Sequence, residues 1–248
     1  MTTILMLASF GLEIVECGGA LARHVQAGDD VKTAVLLSRP KSRSQVVEAA
    51  GILGIEAVEF LDFPYGEWTV DVAWKERIVE LVRRVRPDIV ITQDPHHAQH
   101  DLDPDRRLIA LLYTESFALA GRDWHVDACG GHAPHLVKAI YYMTPEHANC
   151  IVEISQTFAL KQQALAVLGH QLAFSAQMIE RLATKETLRQ VVPDYDELTA
   201  DKRALGLALH GQFDMALSLV NGLAGHSGAV MGEAYRREGA FVFDKLLE

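Results

Sequence analysis

Over its first 155 residues the chain alternates apolar runs of strand length with segments of helical periodicity. "TILMLA" (Thr3 to Ala8) is an unbroken apolar run, the mark of a strand buried on both faces. A turn, Ser9-Phe10-Gly11-Leu12, leads to Cys17-Gly18-Gly19 and "GGALARHVQAGDD". There Ala20, Leu21, His24 and Val25 recur at helical spacing and Gly28 acts as a stop. "VKTAVLLS" predicts the next strand, "SRSQVVEAAGILG" a helix closed by Gly54, and "AVEFLDF" a short strand. "DVAWKERIVELVRRVRP" predicts a long amphipathic helix ended by Pro87, and "DIVITQD" a strand. Residues 104–119 open on a proline and read as a helix, and "LVKAIYYMT" and "CIVEIS" as strands. Strand–helix–strand units at this spacing imply right-handed crossovers and a largely parallel sheet between helices, an α/β, Rossmann-like fold.

After Ser155 the pattern turns helical. Residues 157–190, 196–224 and the stretch "GEAYRREGAFVFDKLL" all read as helix, with no strong strand run. This gives an α/β core over 1–155 and a helical C-terminal region over 156–248 packed on it. Apolar runs such as "FDMALSLVNGLAG" are too many to leave in water. A homo-oligomer would bury them.

Composition narrows the classes. The chain has 248 residues, 33 acidic against 23 basic, for a formal charge of −10. No basic run interrupts that balance, which argues against nucleic acid and anionic membranes as partners. Three widely spaced cysteines, Cys17, Cys129 and Cys150, do not make a disulfide framework. Cys17 beside two glycines reads as a small buried residue at a tight strand–helix junction. With no signal-like N-terminus and no apolar span, the expectation is a cytoplasmic protein that meets a small-molecule ligand.

The order of these pieces, ending in "VEISQTFALKQQALAVLGHQ" and "GEAYRREGAF", resembles the LmbE/PIG-L family of zinc-dependent N-deacetylases, which act on N-acetylglucosaminyl conjugates and related amides. The resemblance runs from about Thr3 to Phe241 and is loose over residues 171–225. It implies that the first strand should be followed by a His-Pro-Asp-Asp-Glu turn, three variable residues and Cys-Gly-Gly. Counting back from Cys17, the ligand His falls on Ser9, the Pro on Phe10, the general base on Gly11 and the second ligand on Leu12. Only the final Glu is kept, as Glu13. The later His-Pro-Asp-His falls on Asp103-Pro104-Asp105-Arg106, so the acid-role His is Asp103 and the last ligand His is Arg106.

Zinc catalysis needs three N/O ligands and an open position, with a carboxylate to take the proton from bound water. Ser9 is a poor ligand, Gly11 and Leu12 supply neither ligand nor base, and Arg106 is a permanent cation. The expectation is therefore a relative without the zinc site and without a cofactor. It would bind a small polar ligand, an amino sugar or acylated amine, or carry out a reaction that does not use zinc. The candidate ligand-binding residues are Ser9, Glu13, Arg43, Asp94, Asp103 and Arg106. Arg43 falls on the family's Arg that reaches sugar hydroxyls, and Val46 stands where a Glu is expected. Arg43 also reads as a solvated helix-start Arg, and Asp94 as a cap for the "DPHH" turn. Arg106 is expected to reach the carboxylates near the strand ends.

Two alternatives stay open. One is an active amide hydrolase with a metal site rebuilt around His96, His97 and His100 in "DPHHAQHDLDPD", a segment that otherwise reads as a polar surface loop. The other is a non-catalytic subunit beside a partner protein. The Gly- and His-rich loop 121–135 matches no zinc spacing, and there is no Gly-x-Ser-x-Gly elbow, Gly-x-Gly-x-x-Gly turn or P-loop.

Overall fold

The computed structural model describes residues 1–223 and 230–239. Its elements are β1 (Thr3–Ala8), α1 (Leu12–Glu16), α2 (Gly18–Gln26), β2 (Asp30–Val35), α3 (Pro40–Ile52), β3 (Val58–Phe60), α4 (Val72–Val85), β4 (Ile89–Gln93), α5 (Pro95–His100) and α6 (Pro104–Ala120). There follow β5 (Ala139–Met143), β6 (Cys150–Glu153), α7 (Phe158–Ala166), α8 (Gly169–Leu182), α9 (Lys185–Val191), α10 (Tyr195–Leu198), α11 (Lys202–Gly222) and β7 (Gly232–Arg237). Seven strands form one sheet in the order β3-β2-β1-β4-β5-β7-β6. β2 and β3 run parallel, as do β4 and β5, while β7 lies antiparallel to β5 with Tyr142 opposite Arg236. The sheet is mostly parallel and flanked by helices, as the alternating pattern predicts.

The chain divides into two compact units. The first contains residues 6–68 and 151–233, and the second residues 2–5, 69–150 and 234 onward. In the first unit, Met6, Leu7 and Ala8 of β1, Val35 at the end of β2, and Leu36 and Leu37 after it are buried. A separate core joins α8 to α11 through Ala176, Leu205 and Leu209, with Leu188, Val192 and Tyr195 packed into it. In the second unit, Ile78, Val79, Leu81 and Val82 form the buried stripe of α4. Asp71 caps that helix by accepting a hydrogen bond from the Trp74 N–H, and it ends at Arg86 in the left-handed region, where Pro87 forbids another turn.

The helical reading of the C-terminal region needs three corrections. Residues 157–190 are three helices, interrupted at Leu168 and again at Thr184, whose hydroxyl accepts from the Thr187 N–H and so starts α9 afresh. In 196–224, α10 is followed by Asp201, which accepts from the N–H groups of Arg203 and Ala204 and restarts the chain as α11. The stretch "GEAYRREGAFVFDKLL" is not a helix at its start: Gly232–Arg237 is β7. Its pairing with β5 supplies the backbone partners that a helix would have made internally. The remainder of that stretch, from residue 240, and residues 224 and 225 of the helical runs lie outside the described residues. Residues 95–100, read as loop, form the short helix α5 because Asp94 caps it and Pro95 fits its first turn.

Candidate functional site

In the first unit the chain leaves β1 at Ser9, which is buried, and its carbonyl accepts the Leu37 N–H at 2.8 Å. The backbone then turns sharply through Gly11, at φ 105°. Glu13 holds this turn: its Oε2 accepts hydrogen bonds from the Phe10 N–H (3.1 Å) and the Gly11 N–H (2.9 Å), and the side chain is buried. Gln171 of α8 adds a donor to the Phe10 carbonyl at 3.1 Å. Glu13 thus satisfies two N–H groups at the start of α1, where backbone donors have no helical partner.

Position 11 is closed to a side chain in two ways. Its φ lies where L-residues are strained. A Cβ built there would also stand 2.9 Å from Cγ2 of Val46 on α3. Val46, itself buried, fills the space that an acid at position 11 would need. Leu12 follows as the first residue of α1 and is half-buried.

Arg43 lies within the first turns of α3. Its Nε donates to the Ser38 hydroxyl at 2.9 Å, its Nη2 pairs with Asp62, and the guanidinium lies 4.9 Å from the centre of the Phe60 ring. About a third of the side chain remains open to solvent.

A second set of polar groups in this unit, which the helical periodicity conceals, supports the junction between α1 and α2. The Glu233 carboxylate on β7 accepts from the Gly19 and Ala20 N–H groups, each at 2.9 Å. The buried Lys161 ammonium on α7 donates to Glu233 Oε1 (3.0 Å) and to the Glu16 carbonyl (2.7 Å), with Asp214 of α11 at 4.0 Å. Burial works against the charge on Lys161, but Glu233 and Asp214 outweigh it and hold its pKa above the ordinary lysine value. Burial pushes the Asp214 carboxyl up and the neighbouring His210 imidazole down. Gly19 admits no side chain, since a Cβ would meet Ile154 at 2.7 Å. Cys17 is a buried free thiol in the same junction, as its place beside two glycines suggests.

In the second unit Asp94, fully buried, follows β4. Oδ1 accepts from the His96 N–H (3.0 Å), so the residue is the cap of α5. The Arg236 guanidinium on β7 binds both oxygens, Nη2 to Oδ1 at 2.8 Å and Nε to Oδ2 at 3.2 Å. Burial would raise the Asp94 pKa, yet the guanidinium and the His96 N–H together hold it below the ordinary carboxylate value. The same guanidinium pairs with Glu238 at 2.9 Å and lies 4.4 Å from the Tyr142 ring centre. Burial pushes the Tyr142 phenol up to about 12. Arg236 is absent from the residues that the sequence singles out, because its segment reads as helix and its side chain was given no partner.

Arg106, in the first turns of α6, donates from Nη1 to the Gln93 amide oxygen (3.0 Å) and pairs with Asp101 at 3.4 Å. It reaches a carboxylate, but one in its own preceding loop. Asp103 caps α6, accepting from the Asp105 N–H at 2.9 Å. His96, His97 and His100 lie exposed on α5, and His100 stands 3.9 Å from Glu146. Loop 121–135 is held to α4 by His125 on Glu76 (2.7 Å) and His132 near Glu80 (3.6 Å), and Cys129 is buried within it.

Zinc does not fit the side chains at the positions that the family resemblance assigns to it. A buried hydroxyl, a leucine and an arginine offer no set of three N/O ligands. Among the described residues no three His, Cys, Asp or Glu side chains form a group that could hold a metal ion. None of the described helices is long and apolar enough to cross a membrane.

Comparison with known proteins places these features in context. Residues 13–105 match the PIG-L family, described as GlcNAc-PI de-N-acetylase. A diacetylchitobiose deacetylase of Thermococcus kodakarensis is 27% identical over 161 residues, covering 64% of this chain and 58% of that protein. The match therefore spans less than two thirds of the relative's length. The solved structure of a conserved protein from Thermus thermophilus superposes with a TM-score of 0.69 at 20% identity, over 98% of this chain and 97% of the other. An N,N'-diacetylchitobiose deacetylase from Pyrococcus horikoshii, complexed with an inhibitor, gives 0.69 at 17% identity over 95% and 83%. A 4-carboxy-2-hydroxymuconate hydratase from Pseudomonas putida gives 0.66 at 18% over the full length of both. At these identities the structural matches establish the fold.

Proposed function

We propose that this chain, whose residues 13–105 match the PIG-L family, binds a small polar ligand of the amino-sugar or acylated-amine class without a zinc centre. The observation that carries this reading is the pairing of Gly11 with Val46. The residue in the general-base position has no side chain, its backbone is left-handed, and the space for a carboxylate holds a valine methyl. Loss of a base by one substitution could be reversed by one substitution. Here the neighbouring helix has filled the gap, which indicates a turn built around the absence of the base.

Arg43 is assigned to the ligand because about a third of its side chain stays open while Ser38 and Asp62 fix the direction of its guanidinium. A planar, pre-oriented donor suits hydroxyl and carbonyl oxygens of a sugar. Glu13 acts by holding the turn that presents Ser9. The fold does not choose the reaction, since solved structures of this shape include both deacetylases and a hydratase.

The test combines elemental analysis with calorimetry, using N-acetylglucosamine and glucosamine as probes. The expected result is binding of one probe, no stoichiometric zinc after mild dialysis, and binding weakened about tenfold or more by Arg43→Ala. About one tightly held zinc per chain, with acetate released from the acetylated probe, would overturn the proposal in favour of an active N-deacetylase.

A further inference from the structure

Three segments leave the carboxyl ends of adjacent strands in the first unit and stay zipped by backbone hydrogen bonds. The Leu37 N–H donates to the Ser9 carbonyl at 2.8 Å, and the Phe63 N–H to the Leu36 carbonyl at 3.1 Å. Just beyond these last rungs stand Phe10, Arg39 and Tyr65, one from each segment. The Phe10 and Tyr65 rings stack, with centres 5.9 Å apart and planes 20° from parallel. The Tyr65 hydroxyl donates to the Leu37 carbonyl at 3.1 Å and fixes its ring, while 38% of the residue stays open to solvent. The Arg39 guanidinium lies 5.5 Å from the centre of the same ring. The carboxyl ends of parallel strands are where open α/β sheets bind ligands. Phe10 is this chain's own feature there, since the family resemblance places a proline at that position.

The charges beside this ring pair are unbalanced. Residues 31–47 contain no acid and four bases, three of which, Arg39, Lys41 and Arg43, lie at the start of α3. Among the described residues Asp62 is the one carboxylate paired with any of these three, and its partner is Arg43. Arg39 and Lys41 are exposed and meet no carboxylate among the described residues. In a chain of formal charge −10, two cations are thus left uncompensated next to an open aromatic face.

We propose that this surface binds the phosphate of a phosphorylated amino sugar, with the sugar ring laid against the open face of Tyr65. The sugar rests on the amino-sugar reading above; the phosphate rests on the uncompensated cations. Charge selects the substituent. A phosphate monoester carries about −1.5 to −2 at neutral pH, which matches two free cations, whereas a carboxylate matches one. A guanidinium held against a ring by cation–π attraction keeps its planar fork of N–H donors for phosphate oxygens. The negative face of an aromatic ring attracts the C–H groups along one side of a sugar ring. Arg39 is the main phosphate contact, and Lys41 and Arg43 add to the local positive field.

Calorimetry on the full chain tests this, with the 1- and 6-phosphates of N-acetylglucosamine, N-acetylglucosamine itself and inorganic phosphate as probes. One sugar phosphate should bind about tenfold or more tighter than the neutral sugar or inorganic phosphate, and the preference should shrink as salt is raised to about 0.5 M. Arg39→Gln should cut the preference for the phosphorylated over the neutral sugar to within about threefold, and Arg39→Lys should restore part of it. Tyr65→Leu should weaken the sugar phosphate about three- to tenfold, and more than it weakens inorganic phosphate, while Tyr65→Phe keeps the ring and the binding. Should Tyr65→Leu not fold, the exposed Arg39 variants decide. Equal affinity for the phosphorylated and neutral sugars would overturn the proposal and leave the amino-sugar reading standing. Sugar-phosphate binding that Arg39→Gln does not weaken would overturn it. So would inorganic phosphate bound as tightly as the sugar phosphate and indifferent to Tyr65, an adventitious ion only. Binding of none of the probes would overturn both readings, whereas an Arg39-dependent sugar phosphate without binding of the neutral sugar would uphold this one.

Discussion

Asp94 and Arg236 stand 142 residues apart in sequence and share a two-pronged ion pair in which the carboxylate is wholly buried. The pair ties the cap of α5 to β7. Arg236→Ala should destabilise the chain by about 3–5 kcal/mol, because it strands a buried carboxylate. Asp94→Ala should cost less, since Arg236 keeps Glu238. Urea unfolding of both single variants and the double variant measures the coupling.

The same pair sets an acid limit. The Asp94 pKa is held below its ordinary value of 3.8, so the folded state binds this proton less readily than the unfolded chain. Its contribution is present above about pH 4 and is lost as pH falls through the folded-state pKa. Asp94→Asn should flatten the fall in melting temperature across that acid range. An unchanged acid limb would mean that the pair carries no linkage.

Gly11 and Val46 should behave as a coupled pair. Gly11→Asp, which writes the family's base back into the turn, costs about 1–2 kcal/mol for the left-handed backbone. Contact with Val46 adds about 1–3 kcal/mol of overpacking. Val46→Ala in the same chain should recover the second part and leave the first. Neither variant should gain deacetylase activity. Thermal melts and an acetate-release assay read the two outcomes.

Lys161 and Glu233 predict an alkaline limit. The Lys161 pKa is raised in the fold, so its stabilisation is complete below about pH 10.5 and is lost as pH rises through the folded-state value. Lys161→Met should remove that alkaline transition and destabilise by about 3–5 kcal/mol, because Glu233 and Asp214 lose their counter-charge. Glu233→Gln keeps an acceptor for one of the two N–H groups of α2 and should cost less. Melting temperature against pH, for wild type and both variants, checks the sign.

These two ion pairs also mark where sequence reasoning reached its limit. The strands of the first half were legible because buried parallel strands are unbroken apolar runs, and "TILMLA" can be little else. β7 was not legible. "GEAYRR" carries two arginines and a glutamate, and those charges satisfy buried partners, Glu233 with Lys161 and Arg236 with Asp94, that only the tertiary fold supplies. A charged strand whose partners lie more than 70 residues away has the composition of a solvated helix. The emptied turn at Ser9 to Leu12 was legible from its register against Cys17-Gly18-Gly19, whereas its repacking by Val46 was not, because no periodicity links a turn to a helix 35 residues later. Arg106 is expected to reach the carboxylates at the strand ends, Glu13, Asp94, Asp103 and Asp105; it pairs at 3.4 Å with Asp101 of the loop before α6, which is not one of them.

Arg83 supports the last prediction. It is a buried arginine on α4, and four carbonyls converge on it. Nε donates to Ala120 (3.2 Å), and Nη2 to Leu119 (3.4 Å), Arg122 (2.7 Å) and Trp124 (2.9 Å). These are the last carbonyls of α6 and the first of loop 121–135, where a helix end leaves acceptors without internal partners. The guanidinium thus serves as the C-terminal cap of α6 and fixes the exit of the loop, while His125 and His132 fasten its outer part to α4. Arg83→Met keeps much of the apolar stem but removes all four bonds: the Leu119, Ala120 and Arg122 carbonyls keep the N–H groups of Arg122, His135 and Trp124, and the Trp124 carbonyl loses its guanidinium donor. At about 1–3 kcal/mol for a group left without its partner, a loss of about 1–3 kcal/mol is expected. Arg83→Lys should rescue little, because a single ammonium cannot reproduce the planar fork that reaches both sides of the helix end. The loss should be local first: limited proteolysis should cut within 121–135 in the variants under conditions that leave wild type intact. Equal protease resistance in wild type, Met and Lys forms would show that the loop is held by its histidines and not by Arg83.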